Sequence, residues 1–439
     1  MDSYDLKPDE LPDLAIETLG PREIPFPIRR TRPHFVEDTE RILVYSNTRD
    51  IPGDVVDRTR IPAFERAGPR EKIFFDPENV GAGIVTCGGL CPGLNDVIRT
   101  VTLSLAWQYG VKRIVGFRYG YAGLTSNPPA EPVELTPELV DEIHLEGGDI
   151  LGSSRGPQDP EEIVTNLQNR RIDLLFCVGG DGTLTAAAEL CRVIRERGLK
   201  IAVVGIPKTI DNDILGIERS FGFSTAVEAA RSAILAAHAE AKGAWNGVAL
   251  VKLMGRDSGF IAAYATLANS DVNFCFIPEV PLVLEGDDGF LSLLEKRLDR
   301  RHHAVIVVAE GAGRQYTETD PDRTDSSGNV LRDDIGLFLK KKIKQYFRQK
   351  GKPINLKYID PSYMIRSLVA DSNDAAFCLM LGQNAVHAGM TGRTNMVIGY
   401  WSQHFTHVPI ALATLRRKKV DPNGDLWQTV LATTGQARI

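Results

Sequence analysis

Short apolar runs alternate with longer amphipathic stretches along most of this 439-residue chain. The runs are rich in Val and Ile and end on glycine or a polar residue, which is typical of strands buried in a parallel sheet. They are AGIVTC (82–87), RIVGF (113–117), DLLFCVGG (173–180), KIAVVGIP (200–207), VALVKLMG (248–255), FCFIP (274–278), AVIVVAEG (304–311) and NMVIGY (395–400). At least eight predicted strands favour two sheets over one.

Helical periodicity fills the intervals between these runs. Five apolar residues recur at i, i+3, i+4, i+7 and i+11 and predict a helix that ends at Gly110. They are Leu94, Val97, Ile98, Val101 and Leu105. The stretches 183–197, 223–242, 334–350 and 371–388 also predict helices. Alternation of strands and helices predicts an α/β protein with two doubly wound, Rossmann-like domains and mainly parallel sheets.

Composition and charge narrow the class of protein. Hydrophobic residues make up 43 % of the chain and charged residues 25 %, which excludes a wholly disordered or collagen-like chain. Lys and Arg number 51 and Asp and Glu 57, so the net charge is −6 and we expect no nucleic-acid partner. The start, MDSYDLKPDE, lacks the apolar core of a signal peptide, and the uncharged stretch 394–415 is too polar to span a membrane. We expect a cytoplasmic protein with six free, mostly buried cysteines.

Two glycine-rich turns follow predicted strands. CGGLCPGLN (87–95) runs into a helix and VGGDGTLTAA (178–187) runs into another, so both can turn backbone N–H groups toward a phosphate. In the second turn, Asp181 is a carboxylate suited to Mg²⁺, which binds few carboxylates together with phosphate oxygens. The alternative interpretation of each turn is a tight connection that needs glycine and carries no ligand.

Further charged groups stand where other strands end. IPKTIDNDILG (206–216) places Thr209, Asp211 and Asp213 at alternate positions beside Lys208, which suits proton abstraction and charge positioning, although an Asx-rich turn is the alternative. VKLMGRDSGF (251–260) places Arg256 at a strand end, where its guanidinium can bind a phosphoryl group. VVAEGAG (307–313) places Glu310 at another strand end, where its carboxylate can accept hydrogen bonds from sugar hydroxyls.

The order and approximate spacing of these motifs resemble the phosphofructokinase family over roughly residues 80 to 400. TCGGLCPGLN, GGDGT, PKTIDND, MGRDSG, AEG and the downstream PSYMIR (361–366) all occur in the family's order. NAD kinases and lipid kinases resemble the chain at GGDGT alone. The long N-terminal segment and the lysine of PKTIDND are similar to the plant and protist ATP-using branch, which is related to pyrophosphate-using enzymes.

The resemblance implies Mg²⁺-assisted transfer of the ATP γ-phosphoryl group to the 1-hydroxyl of fructose 6-phosphate. It makes Asp211 the general base, with Asp213, Thr209, Lys208 and Arg256 as the other catalytic residues. It assigns nucleotide binding to Gly88, Arg155, Gly156, Gly180, Asp181, Gly182 and Thr183, with Asp181 also holding the metal. It assigns sugar-phosphate binding to Thr209, Ile210, Asp211, Met254, Gly255, Arg256, Glu310, Tyr363, Met364, Ile365 and Arg366. Lys357 aligns with an arginine that family members contribute to the sugar-phosphate site of the neighbouring subunit.

The same resemblance bears on the phosphoryl donor. In the family, glycine after GGD is typical of enzymes that use ATP, and aspartate at that position is typical of enzymes that use pyrophosphate. Gly182 therefore favours ATP as the donor. Lys208 occurs in pyrophosphate users and also in the ATP-using branch. A pyrophosphate-dependent enzyme and a non-catalytic regulatory homologue are the alternatives. Tyr363 stands where short bacterial members have histidine, and Asn246 or Gly247 where they have another arginine. Either other residues bind the 6-phosphate in this protein or its affinity for the sugar phosphate differs.

The resemblance also implies a domain division and an assembly. Residues 1–75, rich in proline and weakly periodic, are predicted to be an extension that wraps the core or a partner subunit. A nucleotide-binding domain is expected over 76–222 with 367–404, and a sugar-phosphate-binding domain over 223–366 with 405–439. A homodimer or homotetramer is expected, because such enzymes build the sugar-phosphate site partly from a neighbouring subunit.

Overall fold

The computed structural model describes residues 6, 11–27, 33–45, 47, 51, 61–317, 319–324 and 330–436. Within these residues the strands are β1 (Glu17–Thr18), β2 (Ile24–Pro25), β3 (Arg41–Leu43), β4 (Ala63–Arg66), β5 (Lys72–Ile73), β6 (Gly81–Thr86), β7 (Arg113–Phe117), β8 (Val133–Glu134), β9 (Leu174–Gly179), β10 (Ala202–Pro207), β11 (Gly247–Leu253), β12 (Phe274–Phe276), β13 (His303–Ala309), β14 (Thr319–Thr324), β15 (Val330–Arg332), β16 (Asn355–Ile359), β17 (Arg393–Thr394), β18 (Met396–Trp401) and β19 (His404–Pro409).

The helices in the same residues are α1 (Leu94–Leu103), α2 (Pro160–Asn169), α3 (Asp181–Glu196), α4 (Phe223–Lys242), α5 (Phe260–Leu267), α6 (Phe290–Arg301), α7 (Ile335–Gln349), α8 (Ser362–Arg366), α9 (Ser372–Met390), α10 (Ile410–Ala413) and α11 (Asp425–Thr434). All eight apolar runs form strands, and the five predicted helices form, so the predicted α/β class is confirmed. After α1 the chain makes a π-helical turn, Ser104–Tyr109, and the helix ends at Gly110 with φ +82°, as the pattern predicted.

The chain divides into two compact units. The smaller contains Phe223–Arg366 and the segment from Arg417 onward, and the larger contains the described residues up to Gly222 together with Ser367–Arg416. Residues 405–416, which the sequence analysis assigns to the second domain, lie in the larger unit. The reason is local: β19 pairs antiparallel with β18 as a hairpin and also with β4, so these strands belong to one sheet.

The described strands of the larger unit form a nine-stranded sheet in the order β3-β4-β19-β18-β10-β9-β6-β7-β8. Its centre is parallel from β18 to β7, and antiparallel strands flank it on both sides. Numbered along the chain, the five parallel strands stand in the order 2-1-3-4-5, with the reversal between β6 and β9. Ligands of doubly wound sheets bind at this switch point, at the carboxyl ends of the strands.

The smaller unit is built on a four-stranded sheet of its described strands, in the order β12-β13-β11-β16. All three pairings are parallel, and β11 lies between β13 and β16. Phe290, Leu294 and Leu298 on α6 and Ile335, Leu339 and Ile343 on α7 bury the apolar faces of these helices in one core with the sheet. The helical spacing of these six residues explains why both helices pack on the strands.

The described part of the N-terminal segment packs on the larger unit. Its strands β3 and β4 extend the nine-stranded sheet beyond β19, and β1 pairs with β17. The indole of Trp401 donates to the carbonyl oxygen of Val44 (3.1 Å) and its ring makes an edge contact with Phe64. The described part of this segment therefore supplies both strands and core residues to the larger unit.

A buried ionic cluster joins this segment to the sheet. Oε1 of Glu65 accepts bonds from Arg393 Nε (2.6 Å) and Arg70 (3.2 Å) and lies 3.2 Å from His407 Nδ1. Burial raises the pKa of Glu65, but the hydrogen bond from His407 and the guanidinium of Arg393 more than offset this and hold it well below its usual range. Asp38 pairs with both arginines as well. Glu65 is therefore an ionised carboxylate between two buried cations.

We expect Glu65→Gln to lower the free energy of unfolding by about 3 kcal/mol, because it leaves two buried guanidinium groups, Arg70 and Arg393, with the exposed Asp38 as their remaining carboxylate partner. The matched control is Glu78→Gln, since Glu78 is exposed and pairs with Lys112 at the surface, and it should change stability by less than about 1 kcal/mol. Urea denaturation followed by circular dichroism measures both variants. Equal shifts in the two midpoints would contradict this account.

Two further expectations concern the state of the cysteines and the presence of membrane-spanning helices. All six cysteines are buried and unpaired, as predicted. In the described part of the chain, no helix combines the length and the apolar character that crossing a bilayer requires.

Candidate active site

The turn after β6 is held by the loop that carries Arg155. Gly88 has φ +87°, a conformation that favours glycine, and its N–H donates to the carbonyl oxygen of Ser154 (3.1 Å). The hydroxyl of Ser153 donates to the carbonyl oxygen of Gly88. Gly156, next to Arg155, also has positive φ, +101°. The two segments predicted to contact the nucleotide phosphates are thus brought together at the switch point.

The second glycine turn places the N-terminus of α3 beside the first. Gly180 caps this 16-residue helix and Asp181 is its first residue. The first-turn N–H groups of a helix carry partial positive charge and suit an anion. A Cβ built on Gly182 meets nothing within 4 Å, whereas one on Gly179 would lie 2.1 Å from Thr183 Oγ1. Gly179 is therefore required by the turn, but the protein's own packing does not require Gly182.

Thr183 differs from its neighbours in the motif because its side chain is buried. It is 6 % exposed, and its carbonyl oxygen accepts a bond from the hydroxyl of Tyr121 (2.9 Å). Asp181 is half-buried and Gly182 is exposed. Within GGDGT, Asp181 and the backbone around Gly182 are thus better placed to meet a ligand than the Thr183 side chain.

Lys208 places a buried ammonium group beside both turns. Its side chain is 6 % exposed, its Nζ donates to the carbonyl oxygen of Gly89 (2.8 Å), and its N–H donates to that of Gly179 (3.0 Å). Burial lowers the pKa of Lys208, and the nearby Arg155 charge acts in the same direction. A bound phosphate would compensate both cations, so these contacts favour an anionic ligand at the switch point.

Thr209 organises the acidic turn that follows Lys208. Its hydroxyl donates to Asp213 Oδ1 (2.9 Å) and accepts the N–H of Asp211 (3.1 Å). Asp213 is 4 % exposed and Ile210 is 7 % exposed, while Asp211 is half-buried. Thr209 and Asp213 therefore shape the turn. Of the two carboxylates, Asp211 is the one more open to a reacting hydroxyl.

In the smaller unit, Arg256 and Glu310 follow the adjacent parallel strands β11 and β13. The N–H of Glu310 donates to the carbonyl oxygen of Leu253 (2.9 Å), and that of Gly311 donates to Gly255 (3.1 Å). A Cβ on Gly311 would lie 1.8 Å from the Arg256 carbonyl oxygen, so glycine is needed for this approach. The predicted sugar-binding residues after these two strands are therefore brought together.

Electrostatics favour a polar ligand at this strand edge. Burial raises the pKa of Glu310, and the charges of Arg256 and Lys252 oppose that shift. Met254 and Arg256 are both half-buried, and Gly255 has φ +125°. A carboxyl group placed beside a guanidinium can bind a hydroxylated, negatively charged compound.

Within PSYMIR, residues Ser362–Arg366 form α8, and only some of the side chains predicted to bind the sugar phosphate are exposed. The side chains of Tyr363 and Met364 are 76 % and 73 % exposed, and the guanidinium of Arg366 lies 4.7 Å from the centre of the Tyr363 ring. Ile365 is only 1 % exposed, so its side chain packs in the fold and is not available to a ligand. Lys357 is exposed on β16, an edge strand of the four-stranded sheet.

Sequence reasoning missed a charged cluster beside these residues. Lys252 Nζ donates to Asp334 Oδ2 (2.6 Å) and pairs with Asp360 Oδ2 (2.7 Å). Arg314 donates to the carbonyl oxygen of Arg256 (2.7 Å) and to Asp257 (2.7 Å). A sequence signal exists for two of them, since Lys252 precedes Met254 by two residues and Asp360 directly precedes PSYMIR.

The donor set near α3 suits magnesium better than a metal held wholly by protein. Among the described residues, no group of three or more His, Cys, Asp or Glu side chains is arranged to hold a metal ion. Mg²⁺ binds through one or two carboxylates, with phosphate oxygens and water completing its octahedron. Asp181, at a helix N-terminus that favours phosphate, fits that requirement.

Comparison with known proteins gives one consistent result. The family described as phosphofructokinase matches residues 81–389. The chain is 48 % identical to the ATP-dependent 6-phosphofructokinase of Borreliella burgdorferi, covering 99 % of this chain and 98 % of that protein. It is 48 % identical to the enzyme of the same name from Amycolatopsis methanolica, covering 97 % and 95 %.

A solved structure shares the fold at much lower identity. The pyrophosphate-dependent phosphofructokinase of Marinobacter aquaeolei aligns with a TM-score of 0.67 over 81 % of this chain and 91 % of its own. The two sequences are 19 % identical, so this likeness concerns the architecture and does not bear on the phosphoryl donor.

Proposed function

Because this chain belongs to the phosphofructokinase family, we propose that it is an ATP-dependent 6-phosphofructokinase. The reaction transfers the γ-phosphoryl group of ATP to the 1-hydroxyl of fructose 6-phosphate and gives fructose 1,6-bisphosphate and ADP. The observation that carries the proposal is the phosphate cradle at the switch point. There Gly88 and Gly180 border the buried Lys208, Gly182 leaves open space in the first turn of α3, and the acidic turn follows Lys208 directly.

Asp211 is the general base of this proposal. Its carboxylate takes the proton of the 1-hydroxyl as that oxygen bonds to the γ-phosphorus and the bond to the β-phosphate oxygen breaks. Proton transfer to a positioned carboxylate contributes about 10²- to 10⁴-fold. Thr209 and Asp213 hold the turn that presents Asp211, through the 2.9 and 3.1 Å bonds of the Thr209 hydroxyl.

The remaining residues supply positioning and charge, which are the main needs of phosphoryl transfer. On the nucleotide side, the N–H groups around Gly88 and Gly180–Thr183 and the charge of Lys208 neutralise phosphate oxygens, and Arg155 and Gly156 border them. On the sugar side, Met254, Gly255, Arg256 and Glu310 bind fructose 6-phosphate with Tyr363 and Arg366. For Ile365 we propose a backbone role only, since its side chain is buried.

Asp181 would hold Mg²⁺ together with phosphate oxygens of ATP. When bound, the ion supplies charge neutralisation at the β- and γ-phosphates. The protein's part is the placement of the Asp181 carboxylate as the first residue of α3.

Gly182 is the reason to favour ATP over pyrophosphate. The space beside its Cα is open, so a nucleotide α-phosphate can approach the backbone there. An aspartate would project a negative charge into that space and repel the phosphate. Lys208 is compatible with either donor, since an ammonium group neutralises any transferring phosphoryl group.

We propose in addition that the enzyme is a cytoplasmic homodimer or homotetramer, in which Lys357 reaches the sugar-phosphate site of a neighbouring subunit. The support is its exposed position on an edge strand. Sedimentation of the active enzyme tests the assembly, and a fully active monomer would contradict it.

Product analysis tests the assigned reaction. The enzyme is incubated with fructose 6-phosphate, ATP and Mg²⁺, and the phosphorylated products are identified by ³¹P NMR. We expect fructose 1,6-bisphosphate and one ADP per bisphosphate formed. Phosphate release from ATP without a bisphosphate, or no turnover with any donor, would overturn the assignment and favour the regulatory homologue.

A further inference from the structure

Lys252 is a charged residue that the proposed mechanism does not use. It is the last but one residue of β11, two positions before Met254, and its side chain is 12 % exposed. Its amine forms ion pairs with two carboxylates, Asp334 Oδ2 (2.6 Å) and Asp360 Oδ2 (2.7 Å). One ammonium thus separates two aspartates that would otherwise repel each other.

Each of the two carboxylates anchors a different element. Asp334 is the N-cap of α7: its Oδ1 accepts the N–H of Leu337 (2.9 Å) and a bond from the hydroxyl of Tyr358 (3.1 Å). Asp360 directly follows β16, and its Oδ1 accepts both the N–H (3.2 Å) and the hydroxyl (2.5 Å) of Ser362, the first residue of α8. Lys252 therefore connects the end of β11 with the starts of α7 and α8.

Two of these elements carry the proposed sugar-phosphate residues. The chain leaving β11 provides Met254, Gly255 and Arg256, and α8 provides Tyr363 and Arg366. The connection from β16 to α8, Asp360 and Pro361, is bound to Lys252 through the Asp360 carboxylate. A change in that contact is expected to shift the start of α8 relative to Arg256, because the Asp360 carboxylate that pairs with Lys252 also holds the N–H and the hydroxyl of Ser362.

The charges of the cluster agree with the geometry. Burial lowers the pKa of Lys252, but hydrogen bonds to Asp334 and Asp360 outweigh burial and raise it above the usual range. Burial raises the pKa of each aspartate, and the bond to Lys252 outweighs it, so both pKa values lie below the usual range. All three groups are therefore charged at neutral pH, with a single positive charge against two negative ones.

We propose that Lys252 is a positioning residue for the sugar-phosphate site: it fixes α8, with Tyr363 and Arg366, against the Arg256 loop by bridging Asp360 and Asp334. This inference rests on the proposed phosphofructokinase activity and adds a residue that determines affinity for the sugar phosphate. It predicts an effect confined to one of the two substrates, since the ATP-binding residues we propose lie on the elements of the larger unit.

The test is a steady-state comparison of three variants of the full-length enzyme. Lys252→Met removes the bridging charge and keeps the length of the side chain. We expect its KM for fructose 6-phosphate to rise about 20-fold, with KM for ATP changed less than twofold and kcat less than threefold. Lys252→Arg keeps the charge and should recover most of the loss. Lys344→Met, an exposed lysine on α7, is the matched control and should match wild type.

A second measurement separates positioning from general destabilisation. Asp360→Asn should raise KM for fructose 6-phosphate to a similar extent. The double variant should be no worse than either single one, because it removes both partners of one interaction. A wild-type KM for fructose 6-phosphate in folded Lys252→Met would overturn the inference, as would equal increases in both KM values with a lowered melting temperature. If wild type itself phosphorylates no fructose 6-phosphate from any donor, the proposed function fails and this inference fails with it.

Discussion

Asp211→Asn lowers kcat by about 10³-fold and leaves binding of fructose 6-phosphate within about threefold of wild type. The amide cannot accept the hydroxyl proton, and loss of a positioned general base costs about 10²- to 10⁴-fold. The fold tolerates the change, because Asp211 is half-buried and its backbone N–H keeps the bond to the Thr209 hydroxyl. Initial rates at saturating substrates give kcat, and titration calorimetry gives the affinity for the sugar phosphate.

Asp141→Asn is the control for this prediction. Asp141 is 73 % exposed and lies 3.9 Å from Arg99, so it has no part in the proposed site. Its kcat should equal that of wild type. A loss below about tenfold in Asp211→Asn would show that another group takes the proton.

Gly182→Asp weakens the use of ATP by about 10²-fold in kcat/KM. Two negative charges about 4 Å apart repel by about 4 kcal/mol at an effective dielectric constant near 20, so even a partly relaxed contact accounts for a loss of this size. The folded state does not oppose the change: a Cβ at 182 meets nothing within 4 Å, and an acidic residue in the first turn of α3 stabilises the helix. The measurement is the initial rate as a function of ATP concentration.

Gly182→Ala separates charge from bulk. Its side chain fits the same open space without a charge, so its kcat/KM for ATP should stay within about fivefold of wild type. With pyrophosphate, which has no nucleotide to repel, Gly182→Asp should lose less than it does with ATP. Equal losses with both donors would show that position 182 does not determine the choice of donor.

The sequence predicted the parallel strands well because burial on both faces leaves a continuous apolar run. β9, for example, is buried at every position, and its sequence LLFCVG has no polar residue. It did not predict β16 or β19. β16 is an edge strand with the mixed sequence NLKYI, which lacks an apolar run. β19 has the sequence HFTHVP, in which Thr406 and His407 are polar but buried, so its composition is typical of a loop.

The candidate site was predictable only where chemistry follows a strand end. Gly88, Asp181, Asp211, Arg256 and Glu310 each stand within four residues of the carboxyl end of a parallel strand, so their position at that edge of the sheets followed from topology. The burial of Thr183 and Ile365 could not be predicted from the sequence, because both residues lie in motifs that indicate ligand binding. The bridge from Lys252 to Asp334 was also hidden, since its partners are 82 residues apart and each is ordinary in its local sequence.

The most direct test of the central claim is the initial rate of fructose 6-phosphate phosphorylation with Mg²⁺ and either ATP or pyrophosphate at matched concentrations. The account predicts faster turnover with ATP, because Gly182 leaves room for a nucleotide at the N-terminus of α3. Faster turnover with pyrophosphate would contradict it. That result would show that the buried Lys208, and not Gly182, determines which phosphoryl donor the enzyme uses.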